Sequence, residues 1–220
     1  EPRACRSPSC HRSRRSIICS LQYRPRRTSR GTGTEAAARD ARYAALNSAA
    51  QALGAKFVSL GHTLNDQAET VLLGLTRGSG PRSIAGMEPI DGLFLRPLLS
   101  LSRETTEGLC NDSGLDFWVD PHNSDPSFTR VRIRRTVIPL LETQLGPGVT
   151  EALARTADLL REDLELLDHL AAEQFRGLAT SSARQLDLPT DRLLTLHPAL
   201  RSRPKSSPKR RRSIWKLTKD

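Results

Sequence analysis

His62, Asn65, Asp66 and Glu69 stand close together in the string Gly61-His62-Thr63-Leu64-Asn65-Asp66-Gln67-Ala68-Glu69-Thr70. Singly, each has a bland reading beside a chemical one. His62 is a metal ligand, a base, or a capping and packing residue. No second His or Cys lies at ligand spacing, so no metal site is expected from these residues. Asp66 at a helix start caps it or complements the dipole, worth about 0.5–2 kcal/mol, and Glu69 in the first turn is open to the same account. Their joint position says more. A short apolar run, Lys56-Phe57-Val58-Ser59-Leu60, reads as a strand that empties into a helix through these polar side chains. Open α/β sheets place ligands at such corners, and a helix N-terminus suits phosphate.

The surrounding elements must hold that corner. Residues 34–54 have strong helix formers, a Thr34 cap and a Gly54 stop, with Ala37, Tyr43 or Ala44, and Leu46 to Leu53 on a buried face. Asp66–Arg77 reads as a second helix with Ala68, Val71, Leu72 and Leu75 inward. Helix, strand, helix predicts a parallel, buried strand in an α/β layer. Downstream, Leu93–Leu99 reads as a short extended piece, Ser102 opens a helix that stops near Gly114, and Phe117-Trp118-Val119 reads as a strand. A polar loop then enters a basic helix in which Pro139 marks a kink or an end. Residues 149–175 carry the cleanest helical rhythm, with Leu153, Ala157, Leu160, Leu164, Leu167 and Ala171 three or four apart.

The formal charge of +10 is unevenly distributed over the 220 residues. Residues 1–30 hold nine Arg and one acid, and residues 201–220 hold nine Lys or Arg and one acid. Between them lie 16 basic and 22 acidic residues, so the middle is mildly acidic. The tails are read as solvated and disordered, although such charge also suits nucleic acid. Cys5, Cys10, Cys19 and Cys110 form no CxxC pair. No apolar run nears the roughly 20 residues of a membrane span, and a reduced, cytoplasmic protein is expected.

The corner string resembles GHTxDDQAETVLLRLxRGSG of the tRNA(Ile)-lysidine synthases, within the ATP-pyrophosphatase group of the adenine nucleotide α-hydrolase-like fold. Other segments agree in order. Residues 35–43 (EAAARDARY) are similar to the family's EAAARxARY, and residues 84–87 (IAGM) to its LAGM. Residues 96–99 (RPLL), 120–123 (DPHN) and 128–134 (FTRVRIR) resemble its RPLL, DPxN and FxRxxIR, followed by Pro139-Leu140-Leu141. The resemblance covers roughly residues 33–200.

It implies a partial Rossmann-like parallel-sheet domain over 31–145, a helical tRNA- or substrate-binding region over 146–200, and basic tails at 1–30 and 201–220. It also implies an ATP-dependent, Mg²⁺-assisted ligase. The C2 oxygen of the wobble cytidine of an isoleucine tRNA takes AMP from ATP, releasing pyrophosphate. The ε-amine of lysine then attacks C2 and displaces AMP. The resemblance suggests Asp66 and Arg77 for catalysis, with His62, Asn65, Glu69 and Arg82 around ATP. Arg96, Arg130, Arg132 and Arg134 are suggested for RNA, 130 and 134 sharing a helical face. No metal ligand is assigned, and a homodimer is the candidate assembly.

Two departures are visible. The family's SGGxDS phosphate loop does not occur in the sequence, and its paired acids in HTxDD are here Asn65-Asp66, which weakens a metal role at 65. Both tails read as a shifted or truncated reading frame. The alternative expectation is an inactive remnant or a basic RNA-binding fragment. A tRNA-thiolating relative would need catalytic cysteines in the folded domain, for which Cys110 alone is a poor candidate.

Overall fold

The computed structural model describes residues 12–13, 16–17, 34–78, 80–118, 120–178, 180–182, 185–203 and 214–218. The chain divides into two compact units, Glu1–Val58 and Ser59–Asp220. In the first, strands β1 (Arg12–Ser13) and β2 (Ser16–Ile17) pair antiparallel. Helix α1 (Thr34–Leu53) follows, ending at Gly54, whose φ of 62° is the left-handed conformation that glycine tolerates. Ala50 is buried, while Leu53, expected inward, is exposed. Arg39 lies over the Tyr43 ring one turn on, 5.5 Å from its centroid.

Strand β3 (Val58–Ser59) is shorter than the predicted 56–60, and Ser59 is exposed. It leads to α2 (Leu64–Arg77), capped by Thr63 and closed by Gly78 in the left-handed region. Ala68 and Val71 are buried as expected, but Leu75 faces outward. A one-turn helix α3 (Pro81–Ile84) precedes the hairpin of β4 (Ile90–Asp91) and β5 (Phe94–Leu95), and the three-stranded order is β3-β5-β4. Leu60 N–H extends this edge by donating to the Leu95 carbonyl at 2.8 Å.

Helix α4 (Arg103–Asp112) starts as predicted at Ser102, whose hydroxyl accepts from Thr105 N–H at 3.1 Å. The predicted strand at 117–119 is a correction: residues 115–118 are irregular, and Phe117 and Trp118 are exposed. With no strand among the described residues to pair with, β propensity alone does not make one, and Val119 lies outside the described residues. A 3₁₀ turn (Pro121–Ser124) leads to α5 (Thr129–Arg132), a π-helical stretch (Ile133–Val137) and α6 (Ile138–Leu145). The π turn has a local cause. Pro139 lacks an N–H and its ring needs room against the preceding turn, which the wider coil gives.

Helix α7 (Val149–Leu178) then packs along α2, as do α3 and α6 against α7. Ala68, Ile133 and Ile138 form the core beside Leu72, Leu73 and Leu153. This packs α7 against the corner's own unit. Further on, β6 (Thr180–Ser182) pairs antiparallel with β7 (Gln185–Pro189), followed by α8 (Thr190–Thr195) and α9 (Pro198–Arg201). Leu193, Leu196 and Leu200 pack on Ala171 and Phe175 of α7. Strand β8 (Ile214–Thr218), in the stretch expected as tail, pairs parallel with β7.

The result is helix-rich α/β with small sheets. The β4–β5 hairpin, with β4 at the sheet edge, is antiparallel, where a parallel layer of buried strands was expected. Most of residues 1–30 and 201–220 lies outside the described residues, and with it the expectation of disorder there. No described helix is long and apolar enough to cross a membrane.

Candidate functional site

The corner is built on the first turn of α2. Thr63 is in extended conformation, and both its N–H and its hydroxyl donate to Asp66 Oδ2 at 2.9 Å. The carboxylate therefore closes back over the helix N-terminus, one half of a capping box. Asn65 points elsewhere. Its Oδ1 accepts from the backbone N–H of Arg103 at 2.8 Å, satisfying an orphan donor at the start of α4. Leu64 N–H donates to the Leu101 carbonyl at 2.9 Å, so two bonds join the starts of α2 and α4.

Glu69, one turn on, is 0% exposed. A buried carboxylate must be paired, and the basic helix supplies the partners. Arg134 Nε donates to Glu69 Oε1 at 2.6 Å, and its Nη2 reaches Asp66 Oδ1 at 3.2 Å. Arg130 Nη1 lies 3.7 Å from Glu69 Oε2, with Nη2 3.3 Å from the Thr70 hydroxyl. Arg103 Nη2 approaches Asp66 Oδ1 at 3.5 Å. Three guanidinium groups thus surround two carboxylates.

A pocket of about 400 Å³ opens beside this lattice, within the range of small-molecule sites. Leu64 and Asn65 come from the start of α2, Ser102, Arg103 and Glu104 from the start of α4, and Gly148, Thr150 and Glu151 from the start of α7. Arg134, Ile138, Pro139 and Glu142 complete it. The starts of three helices therefore border one cavity that presents Arg103 and Arg134 beside Glu104, Glu142 and Glu151, with the α2 start closed by Asp66. Glu142 caps α7: its carboxylate accepts from Gly148 N–H at 2.7 Å and from Thr150 N–H and hydroxyl at 2.9 Å. The Thr150 bonds hold the Glu142 carboxyl below its ordinary value, with desolvation opposing them.

His62, Asn65, Asp66, Glu69, Arg130 and Arg134 all come from or face this region, the last two by turning the shared face of the basic helix inward. Arg77 does not join them. It ends α2, eleven residues beyond Asp66, or roughly 16 Å along a helix axis. Arg82 pairs with Asp168 of α7, which Arg203 also meets, Nη1 to Oδ1 at 2.5 Å. Burial raises the Asp168 pKa, but the bonds and charges of the two arginines outweigh it and leave that pKa lowered. Arg96 is 4% exposed, donating to the Glu88 carbonyl at 2.6 Å and lying 3.7 Å from Asp91. Arg132 donates to the carbonyls of Pro126 and Ser127 at 2.8 and 2.9 Å.

Sequence reasoning did not single out Arg103, Glu142 or Arg161. The signal for Arg103 was the Ser102 cap, which fixes it as the first residue of α4. Arg161 Nη2 donates to the carbonyls of Ala85 and Met87, both at 3.1 Å, pinning the 84–87 loop to α7. Gln67 holds the same loop by two bonds to Met87, N–H to Oε1 at 2.7 Å and Nε2 to carbonyl at 3.0 Å. Gly86 makes that approach feasible: at its φ of 67° a Cβ would sit 2.7 Å from the Gln67 side chain.

The PP-loop domain family matches residues 4–141, a span that includes the Arg- and Cys-rich stretch where no SGGxDS is found. The chain is 59% identical over 150 residues to the tRNA(Ile)-lysidine synthase of Leifsonia xyli subsp. xyli, covering 68% of this chain and 45% of that protein. With the tRNA(Ile)-lysidine synthase of Mycobacterium tuberculosis (strain ATCC 25618 / H37Rv) it shares 54% over 171 residues, 78% of this chain and 52% of the other. With that of Streptomyces coelicolor it shares 50% over 177 residues, 79% and 49%. The chain spans about half the length of the curated relatives it matches.

Proposed function

Because the chain belongs to the PP-loop domain family, we propose that it acts with ATP to ligate lysine to C2 of the wobble cytidine of an isoleucine tRNA. The observation that carries this reading to the corner is the pocket where the starts of α2, α4 and α7 meet beside Arg103 and Arg134. The two guanidinium groups suit the oxygens of a polyphosphate, and charge developing at the α-phosphorus is where fixed donors help most.

In the first step the C2 oxygen of cytidine bonds to the α-phosphorus and the bond to pyrophosphate breaks. In the second, the lysine ε-amine bonds to C2 and AMP leaves with the C–O bond. Arg103 and Arg134 meet the phosphate charge, while Asp66 and Glu69 hold those guanidinium groups in place. Asn65 fixes the start of α4, and His62, in the turn before α2, is kept as a candidate contact for the nucleotide. Arg130 steadies Glu69 from the same helix face that sequence reasoning assigned to RNA. Arg132, at the exposed edge, is kept for the tRNA backbone, with Arg77 and Arg82 on the outer surface for the same polyanion. Arg96, buried under β4, supports the hairpin.

ATP brings Mg²⁺ on its phosphates. Since the substrates are a tRNA, ATP and lysine, we place the reaction in the cytoplasm, and a homodimer is the assembly to test by light scattering. The direct test of the first step is pyrophosphate release from ATP by the purified chain with tRNA(Ile) and lysine. Release that requires the tRNA supports the reading. Binding of tRNA without release supports the alternative of a non-enzymatic RNA-binding fragment.

A further inference from the structure

Adenylation at a corner of this kind is expected to use Mg²⁺, so the residues can be tested as ligands. Mg²⁺ demands six oxygens in a near-octahedral shell at about 2.0–2.1 Å. The corner's oxygens are already taken. Asn65 Oδ1 accepts the Arg103 backbone N–H, and Asp66 Oδ2 accepts twice from Thr63. Asp66 Oδ1 faces Arg134 and Arg103, and Glu69 Oε1 accepts Arg134 Nε. Glu69 Oε2 alone accepts no hydrogen bond, and it is buried 3.7 Å from the Arg130 guanidinium. Among the described residues no group of three or more His, Cys, Asp or Glu side chains could hold a metal. These residues do not fit the ion.

We infer that the chain itself ligates no divalent cation here: Arg103, Arg130 and Arg134 occupy the positions around Asp66 and Glu69 that a metal would need. The three guanidinium groups and Thr63 already face every oxygen of Asp66 and Glu69, so a bare dication finds no uncommitted carboxylate oxygen there. Asn65 is consistent with this role. Where the resembled family has a second acid, this chain has an amide whose oxygen is committed to α4, so it adds neither charge nor a free ligand. The inference takes only the location of the site from the proposed ligation. A divalent ion is therefore retained only when an anionic ligand supplies its oxygens.

The test uses Mn²⁺ alone, titrated into the full chain without nucleotide or RNA and followed by its electron paramagnetic resonance signal. The free-ion signal is expected to keep its full amplitude up to about 1 mM, the weak end of protein–cation affinities. Saturation at one ion per chain below about 100 µM would overturn the inference. Arg134→Met, which releases an oxygen on each carboxylate, is expected to bind Mn²⁺ at least about tenfold more tightly than the natural chain. An unchanged titration in a folded Arg134→Met chain also overturns it, since the arginines would then not be what excludes the ion. If that variant does not fold, the natural chain's titration decides alone. A chain inactive in ligation would leave either result standing, so the two readings fail separately.

Discussion

Arg134 Nε meets Oε1 of Glu69 at 2.6 Å across 65 residues of sequence, joining the basic helix to a carboxylate with no exposed surface. The pair is an anchor as well as part of the site. Glu69 lies beside Ala68, the most buried member of the main core, and Ile133 and Ile138 of that core flank Arg134. Whatever positions the arginines for an anion therefore also closes the core.

Removing Arg134 should be costly, because Glu69 would be left buried and unpaired. Arg134→Met is expected to lose about 3 kcal/mol in urea unfolding, and the double variant with Glu69→Gln to recover a substantial part of it. Additive losses would mean that the two side chains are not coupled.

Two glycines separate close approach from helix propensity. A Cβ on Gly74 would lie 1.9 Å from the Ser83 carbonyl oxygen, where α2 meets α3, whereas one on Gly108 of α4 meets nothing within 4 Å. Gly74→Ala is expected to destabilise by about 1–3 kcal/mol and Gly108→Ala to stabilise by up to about 1 kcal/mol. Thermal or urea unfolding of the two variants in parallel checks both signs.

Asn65 should behave as a cap for another helix. Asn65→Ala removes the acceptor for Arg103 N–H and is expected to lower stability by about 1 kcal/mol, while Asn65→Asp keeps the acceptor and most of that stability. Equal losses in the two variants would show that the hydrogen bond is unimportant.

Acid should loosen α7 at two places. Glu142, which caps its start, and Asp168, two thirds of the way along it, have folded pKa values below the ordinary 4.5 and 3.8. A depressed folded pKa adds stability that is full above the unfolded pKa and is lost as pH falls through the folded one. Urea midpoints measured from pH 6 downward are expected to hold until about the ordinary carboxylate range and then drop. Glu142→Gln should flatten its share of that drop. A variant with the same acid slope as the natural chain would contradict the assignment.

The helices were the legible part. Spacings of three and four identified α2 and α7, and Thr63, Ser102, Gly54 and Gly78 mark ends that the sequence alone nearly located. Directions were harder to read. That Arg130 and Arg134 share a face follows from helical geometry, but what that face meets depends on a fully buried carboxylate 61 to 65 residues earlier. Arg96 is a similar case: suggested for RNA, it is instead buried with its guanidinium on the Glu88 carbonyl, a contact that the sequence does not display. Phe117 and Trp118 have strand propensity without a described strand to pair with, so the local signal misled. The corner itself was legible because its residues are contiguous. The pocket was not, since it is assembled from the starts of three helices and Arg134.

The most direct test is nucleoside analysis of tRNA(Ile) after incubation with the chain, ATP and lysine. The expected result is a lysine-bearing cytidine at the wobble position, formed only when all three substrates are present and lost in Asp66→Asn. Unmodified cytidine in tRNA that the chain demonstrably binds would contradict the proposed ligation.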